Sequence, residues 1–304
     1  MSGALSWNVI QDARQLLAFH FMLNALRAGT IVAVLAGAIG YFMVLRRQSF
    51  VGHTLAVVGF PGAAGATYLG LATPVGYFGF CLAGALIIAA LPGAGRATSG
   101  GVGGYGAESA VIGTVQGVAL ACGFLFVSLY HGFLSGLNSL LFGSIIGVSD
   151  EQVLTLLGAG LACLLVLTLI GRRLLFASVD PDVAQARGVR VRLAGALFLL
   201  VLAVAAAGTS QVTGSLLVFA LLVAPAATAI RLTARPALGL ALSILLAVAV
   251  TWLGEGIAFY SRYPIGFWVS SLAFALFLLA TAYRVLADRR DARRVRAAAS
   301  LAVA

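Results

Sequence analysis

Lysine is absent from this chain of 304 residues, and charge of either sign is scarce: 19 basic residues, all arginine, against 9 acidic ones, 9% charged in all. A soluble domain carries about 25% charged residues, so an ordinary soluble enzyme is excluded. No polar block long enough for an appended catalytic domain interrupts the chain. The three cysteines, Cys81, Cys122 and Cys163, lie singly inside apolar runs, without the spacing of metal ligands; they read as buried thiols. No nucleophile has a partner base, no two carboxylates share a face, and no HExxH helix occurs, so an intramembrane enzyme finds no support. The glycine-rich stretch 92–106, which carries Arg96, lacks the strand, lysine and hydroxyl of a nucleotide loop. The net charge of +10 comes without a basic groove interleaved with aromatics, which argues against nucleic-acid binding. The N-terminus shows no signal-peptide cleavage pattern.

What the chain has is oil. Hydrophobic residues make up 62% and the mean hydropathy is +1.07, the composition of a polytopic, all-α membrane protein. A spanning helix needs about 20 apolar residues. Candidate spans fall at 23–45, 54–71, 76–91, 107–130, 151–169, 193–207, 214–230, 238–259 and 266–286. That predicts about nine crossings. The stretch 137–148 is too short to cross and reads as a re-entrant helix, followed by Ser149, Asp150 and Glu151 as the cap of the next span. Residues 1–20 form an interfacial lead-in, 21–286 the transmembrane domain, and 287–304 a basic, solvated tail. Of the 19 arginines, alternation puts 16 on the side of Arg46 and Arg47, leaving Arg14, Arg27 and Arg262 on the other. Positive residues collect in the cytoplasm, so the N-terminus is expected outside and the C-terminus inside.

One polar interruption on that inner side is written as a helix with both ends specified. Asp180 is suited to cap it, Pro181 to begin it, and Gly188 to stop it. Its plain reading is an ordinary cytoplasmic loop. Polar groups inside the apolar runs are costly and so are functional candidates: His53, Gln116, Gln211 and Glu255, with Glu108 near a span start. Glu255, followed by Tyr260, Arg262 and Tyr263, reads as an interfacial residue rather than a ligand. Two proline sites, Gly59 to Gly62 around Pro61 and Ala224 to Ala226 around Pro225, are expected to break their spans. Such breaks are tolerated where they line a pathway; simple kinks absorbed by packing are the alternative. Small residues recur four apart, as in Gly29, Ala33 and Gly37, or Gly113 and Gly117, a pattern for a tight bundle or a dimer.

Five stretches, in order, then resemble the ABC-3 class of importer permeases, the membrane subunits of zinc, manganese and iron transporters. Val44 to Gly52 reads VLRRQSFVG, and Pro61-Gly62 follows. Leu140 to Ser144 reads LLFGS, with Val148-Ser149 after it. Asp180-Pro181, Ala184 and Gly188-Val189 match the family's cytoplasmic loop. Val212 to Val218 and Ala220 to Thr228 match its VTGSLLV and ALLVAPAAT segments. The resemblance covers about residues 25 to 285. It implies a fold similar to that of the cobalamin- and siderophore-type importers, with a bacterial cell-membrane location. It implies two permease copies in lipid, two separate ATPases that bind ATP, and an extracytoplasmic binding protein or lipoprotein that delivers the cargo. This chain would hold no cofactor and catalyse nothing alone. The helix of Asp180, Pro181, Ala184, Arg187 and Gly188 would then couple to the ATPase, and His53, Thr54, Pro61, Gln211 and Pro225 would line the pathway.

One departure stands out. Metal-importing members of the family carry an Asp and a His one helical turn apart after the arginine pair; here those positions hold His53 and Val57. The imidazole of His53 remains a metal ligand of the right kind, but a two-ligand clip is lost. The expected cargo is a divalent metal (zinc, manganese or iron). The alternative is the same machine carrying a metal chelate or an organic cofactor, and a third reading is a secondary transporter or a membrane scaffold.

Overall fold

A computed structural model of the chain describes residues 18–90, 104–129, 148–261 and 263–303, with side chains described outside 104–108, 211–213, 215–217 and 291–303. Ten helices occur among them: α1 His20–Leu45, α2 Ser49–Tyr68, α3 Thr73–Ala90, α4 Gly104–Leu129, α5 Asp150–Val179, α6 Pro181–Ala186, α7 Val191–Thr213, α8 Ser215–Leu232, α9 Pro236–Tyr260 and α10 Ile265–Val303. Each apolar segment of the sequence corresponds to one of the long helices, and α6 is the short polar one. Seven helices are long and apolar enough to cross a membrane. The other two, α2 and α8, each contain a proline, and the apolar part of α8 is shorter. All but the last residue of the expected re-entrant segment 137–148, most of the glycine-rich loop and nearly all of the lead-in lie outside the described residues. The basic tail is the helical continuation of α10.

The bundle is built around α1, which packs against α5, α7, α8 and α9. Between apolar helices in lipid the hydrophobic effect gives little preference for association, so close van der Waals contact carries the packing. Glycine supplies that closeness. On α1, Gly29 and Gly37 face α9, where an added Cβ would strike Glu255 or the Ile244 backbone. Gly40 faces the Leu222 carbonyl of α8. Ser243 donates to the Gly37 carbonyl at 2.7 Å, sealing the same seam. Gly62 of α2 and Gly76 of α3 meet backbone to backbone, and each would place a Cβ against the other's carbonyl. Gly113 and Gly117 of α4, by contrast, look into open space.

The arginines gather at one end. Arg46 at the foot of α1 reaches Ser178 of α5 and Phe198 of α7, and Arg231 of α8 lies 5.0 Å from the Phe277 ring of α10. At the opposite end, Asn24 of α1 donates to Asp150 of α5 at 2.9 Å, and Asp150 also meets His20 at 3.3 Å. Ser149 caps α5 in a capping box with Gln152, as the sequence indicates. So α1 and α5 are tied together at both ends.

The expected proline breaks are corrected. α2 runs unbroken through Pro61 and α8 through Pro225. Each proline removes one backbone donor, but tight packing holds the helix: Pro61 is buried and a Cβ on Gly123 of α4 would approach it to 3.0 Å. The real interruption in the second half lies at Gly214, the single residue between α7 and α8. Its φ of 79° with ψ of 153° falls where only glycine is at ease.

Candidate functional site

Two places concentrate chemistry. The first is the stretch of α2 against which α4, α7 and α8 pack. His53 lies in the second turn of α2, half-buried, with its ring edge-on to Phe219 of α8 at 5.0 Å between centroids. Its Nδ1 is buried and makes no hydrogen bond. The neighbouring Thr54, fully buried, donates to the Gln116 Oε1 of α4 at 3.0 Å. Ser210, in the last turn of α7, donates to the Ala56 carbonyl at 3.5 Å. Gly214 follows four residues later and turns the chain back as α8, which brings Phe219 to His53. An imidazole with an unpaired nitrogen, an amide and hydroxyls thus occur on and around this part of α2. Imidazole nitrogen is a good ligand for first-row divalent ions. Val57, one turn beyond His53, is buried and adds an apolar wall. Among the described residues no three His, Cys, Asp or Glu come together to hold a metal ion.

The second place is α6, at the arginine-rich end. α5 ends at Val179, and Asp180 breaks it with an extended backbone (φ −145°, ψ 97°). The Asp180 carboxylate then accepts from the Val183 N–H at 3.0 Å, capping α6, with Pro181 in the first turn. At the other end Gly188 takes φ +80°, and the Val189 N–H closes on the Ala184 carbonyl at 3.0 Å. Local backbone chemistry thus sets the whole element. Ala184 is its single buried anchor; Asp182, Val183, Gln185, Ala186, Arg187 and Gly188 are exposed. The result is a rigid polar knob held on two long helices.

The remaining expected residues fall differently. Pro61 and Pro225 are buried inside continuous helices. The backbone of Gln211 belongs to the last turn of α7, and its side chain is outside the described set. The Glu108 side chain is also outside that set. Glu255 sits near the far end of α9, as an interfacial residue would, yet it is only 3% exposed and pressed against Gly29 of α1. Gln116, read from sequence only as a costly polar residue, accepts a hydrogen bond from Thr54, one of the residues expected to line the pathway. Phe219 and Ser210 escaped the sequence reading, and Gly214 entered it only as a span start within a family motif, since apolar and small residues in an apolar span carry no signal of their own.

Comparison with known proteins supplies the context. The family model described as "ABC 3 transport family" matches residues 18–284. The manganese import system permease protein ScaB of Streptococcus gordonii is 32% identical over 211 residues, 69% of this chain and 72% of that protein. The chelated iron transport system membrane protein YfeC of Yersinia pestis is 28% identical over 283 residues, 90% of this chain and 93% of its own length. Among solved structures, PsaBC from Streptococcus pneumoniae in complex with Fab superposes with a TM-score of 0.77 at 27% identity, covering 90% of this chain and 95% of that one.

Proposed function

This chain belongs to the ABC 3 transport family, and from that premise we propose that it is the membrane-spanning permease of an ATP-driven importer for a divalent metal ion. The observation that carries the reading is α6: a helix capped at both ends, buried at Ala184 alone and largely exposed elsewhere, and set between two long apolar helices at the arginine-rich end. Such a knob suits a groove on a separate cytoplasmic ATPase. Closure of that partner on ATP would then move α5 and α7 as rigid bodies. The arginine-rich end is the cytoplasmic one, following the positive-inside rule, so the binding protein that hands over the cargo approaches from the end of His20 and Asp150. A second copy of the chain completes the pathway, with the open Gly113–Gly117 face of α4 available to it.

Along the pathway His53 meets the metal. Its unpaired Nδ1 supplies one exchangeable ligand, and the bonded pair Thr54 and Gln116 carries oxygens one residue further along α2. A single strong ligand suits transit better than storage, because an ion held by few ligands leaves easily. Val57 in place of a second ligand also favours a second reading, in which the cargo is a metal chelate or an organic cofactor that needs apolar wall as much as coordination. The chain itself hydrolyses nothing; ATP belongs to the partner.

The test is uptake by proteoliposomes holding the permease, its ATPase and its binding protein. Manganese, zinc or ferrous ion should be taken up with ATP, and His53→Ala should slow uptake about tenfold, the worth of about 1.4 kcal/mol. Uptake of a chelate but of no free ion would replace the first reading with the second. ATP-independent uptake would remove both.

A further inference from the structure

We infer that Arg46 is a positioning residue that carries a displacement of the α6 loop into α2, the helix that bears His53. The inference rests on the transport reading and adds a route to it. Arg46 follows α1 and precedes the turn into α2, yet it is only 5% exposed. Its guanidinium touches three elements. Nη1 donates to the Ser178 Oγ at 3.4 Å, two residues before the Asp180 that starts the α6 loop. Cζ lies 5.7 Å from the Phe198 ring, and a Cβ on Gly195 would come within 3.3 Å of Nη2, so the first turns of α7, the loop's other root, are also in contact. Nε donates to the Gln48 Oε1 at 3.1 Å, and Gln48 is the N-cap residue of α2, itself 2% exposed. One planar cation therefore joins both roots of the α6 loop to the start of α2. Its five donors leave in fixed directions, and separating a buried cation from its partners is costly. The contacts are thus kept through a rigid-body movement.

The turn behind Arg46 is stiff enough to pass the movement on. Arg47 adopts φ 57°, the left-handed region, and the Gln48 N–H bonds back to the Met43 carbonyl at 2.9 Å while Gly52 N–H bonds to Gln48 at 3.1 Å. Gly52 lets the sulfur of Met43 close against it. Beyond this turn α1 packs with α5, α7, α8 and α9, whereas α2 packs chiefly with α3 and α4 and less extensively with α7 and α8. α2 does not pack along α5. Arg46, bonded to Gln48 on one side and Ser178 on the other, links its start to the end of α5.

The experiment uses the whole transporter in lipid nanodiscs, with Cys122 replaced and nitroxide labels at Tyr68→Cys in α2 and Phe274→Cys in α10, both exposed positions. Electron–electron distance measurements are made without nucleotide and after trapping with ATP and vanadate. The parent complex should show a nucleotide-dependent shift. Arg46→Met should lose that shift, and lose cargo moved per ATP, while the complex still assembles and still hydrolyses ATP; Arg46→Lys, which keeps charge but not the fork, should fall between. A full shift in Arg46→Met overturns the inference. If Arg46→Met does not assemble, the double variant Ser178→Ala with Phe198→Leu decides: it leaves Arg46 in place but removes its hold on both roots, and an undiminished shift there overturns the inference equally. A parent complex with no shift at all overturns the transport reading, and this inference with it.

Discussion

Gly214 shows how one backbone angle can organise a site. Its φ of 79° and ψ of 153° let α7 end and α8 begin with no loop between them, which places Ser210 and Phe219 around α2. A Cβ there forces a conformation that costs about 1–3 kcal/mol. Gly214→Ala should therefore lower the melting temperature in detergent and disturb the contact of Phe219 with His53. Gly79, exposed on α3 with no atom near its missing Cβ, is the control. Gly79→Ala should leave stability unchanged or raise it by about 0.5–1 kcal/mol, since alanine is the better helix former. Equal loss in the two variants would show that glycine content, not the angle at 214, sets stability. Neither role could be told from sequence, because 37 glycines look alike until the neighbouring backbone is known.

Among the helices, α6 was the most legible and the proline-bearing pair the least. Asp180 accepts from Val183 three positions on, Pro181 presets the first turn with its fixed φ, and the Gly188 turn closes Val189 on Ala184 five positions back, so the sequence holds everything needed to write the element. Asp180→Ala should cost about 1 kcal/mol of cap. The complex should still assemble and hydrolyse ATP, but uptake per ATP should fall; unchanged coupling would detach α6 from the mechanism. Pro61 and Pro225 misled for the opposite reason. Whether a proline breaks a helix depends on what packs against it, and that is a matter of distant residues such as Gly123. The α2–α3 seam is of the same kind. Gly62 and Gly76 lie fourteen positions apart and touch through their backbones, so Gly76→Val should overpack the seam and destabilise by about 1–3 kcal/mol. The fall in melting temperature measures it, with Gly113→Val on the open face of α4 as the mild counterpart.

For the molecule as a whole, the count of arginines and the folded bundle bear on the same question. The cationic ends of α1, α5, α7 and α8 converge on one face, and α6 projects from it. Single cysteines in a background lacking Cys122 test the direction. Arg192→Cys, beside α6, should react with a membrane-impermeant maleimide only in inside-out vesicles. Tyr263→Cys, exposed between α9 and α10, should react only in intact cells. The reverse pattern would turn the transporter over and put α6 out of reach of any ATPase.

Composition and spacing were enough to establish an all-helical membrane protein, the approximate helix ends, the capped knob and the family resemblance, because each depends on residues near one another in the chain or on bulk transfer from water to lipid. They were not enough to choose among polar residues. Folding set Phe219 against His53 and Gln116 against Thr54, buried Glu255 against Gly29, and drew Arg46 into contact with residues 132 and 152 positions away, Ser178 and Phe198. In an apolar bundle every helix face is oily, so hydropathy cannot say which face meets which. Backbone approach at glycines and a handful of hydrogen bonds make that choice, and both exist only once the helices have packed.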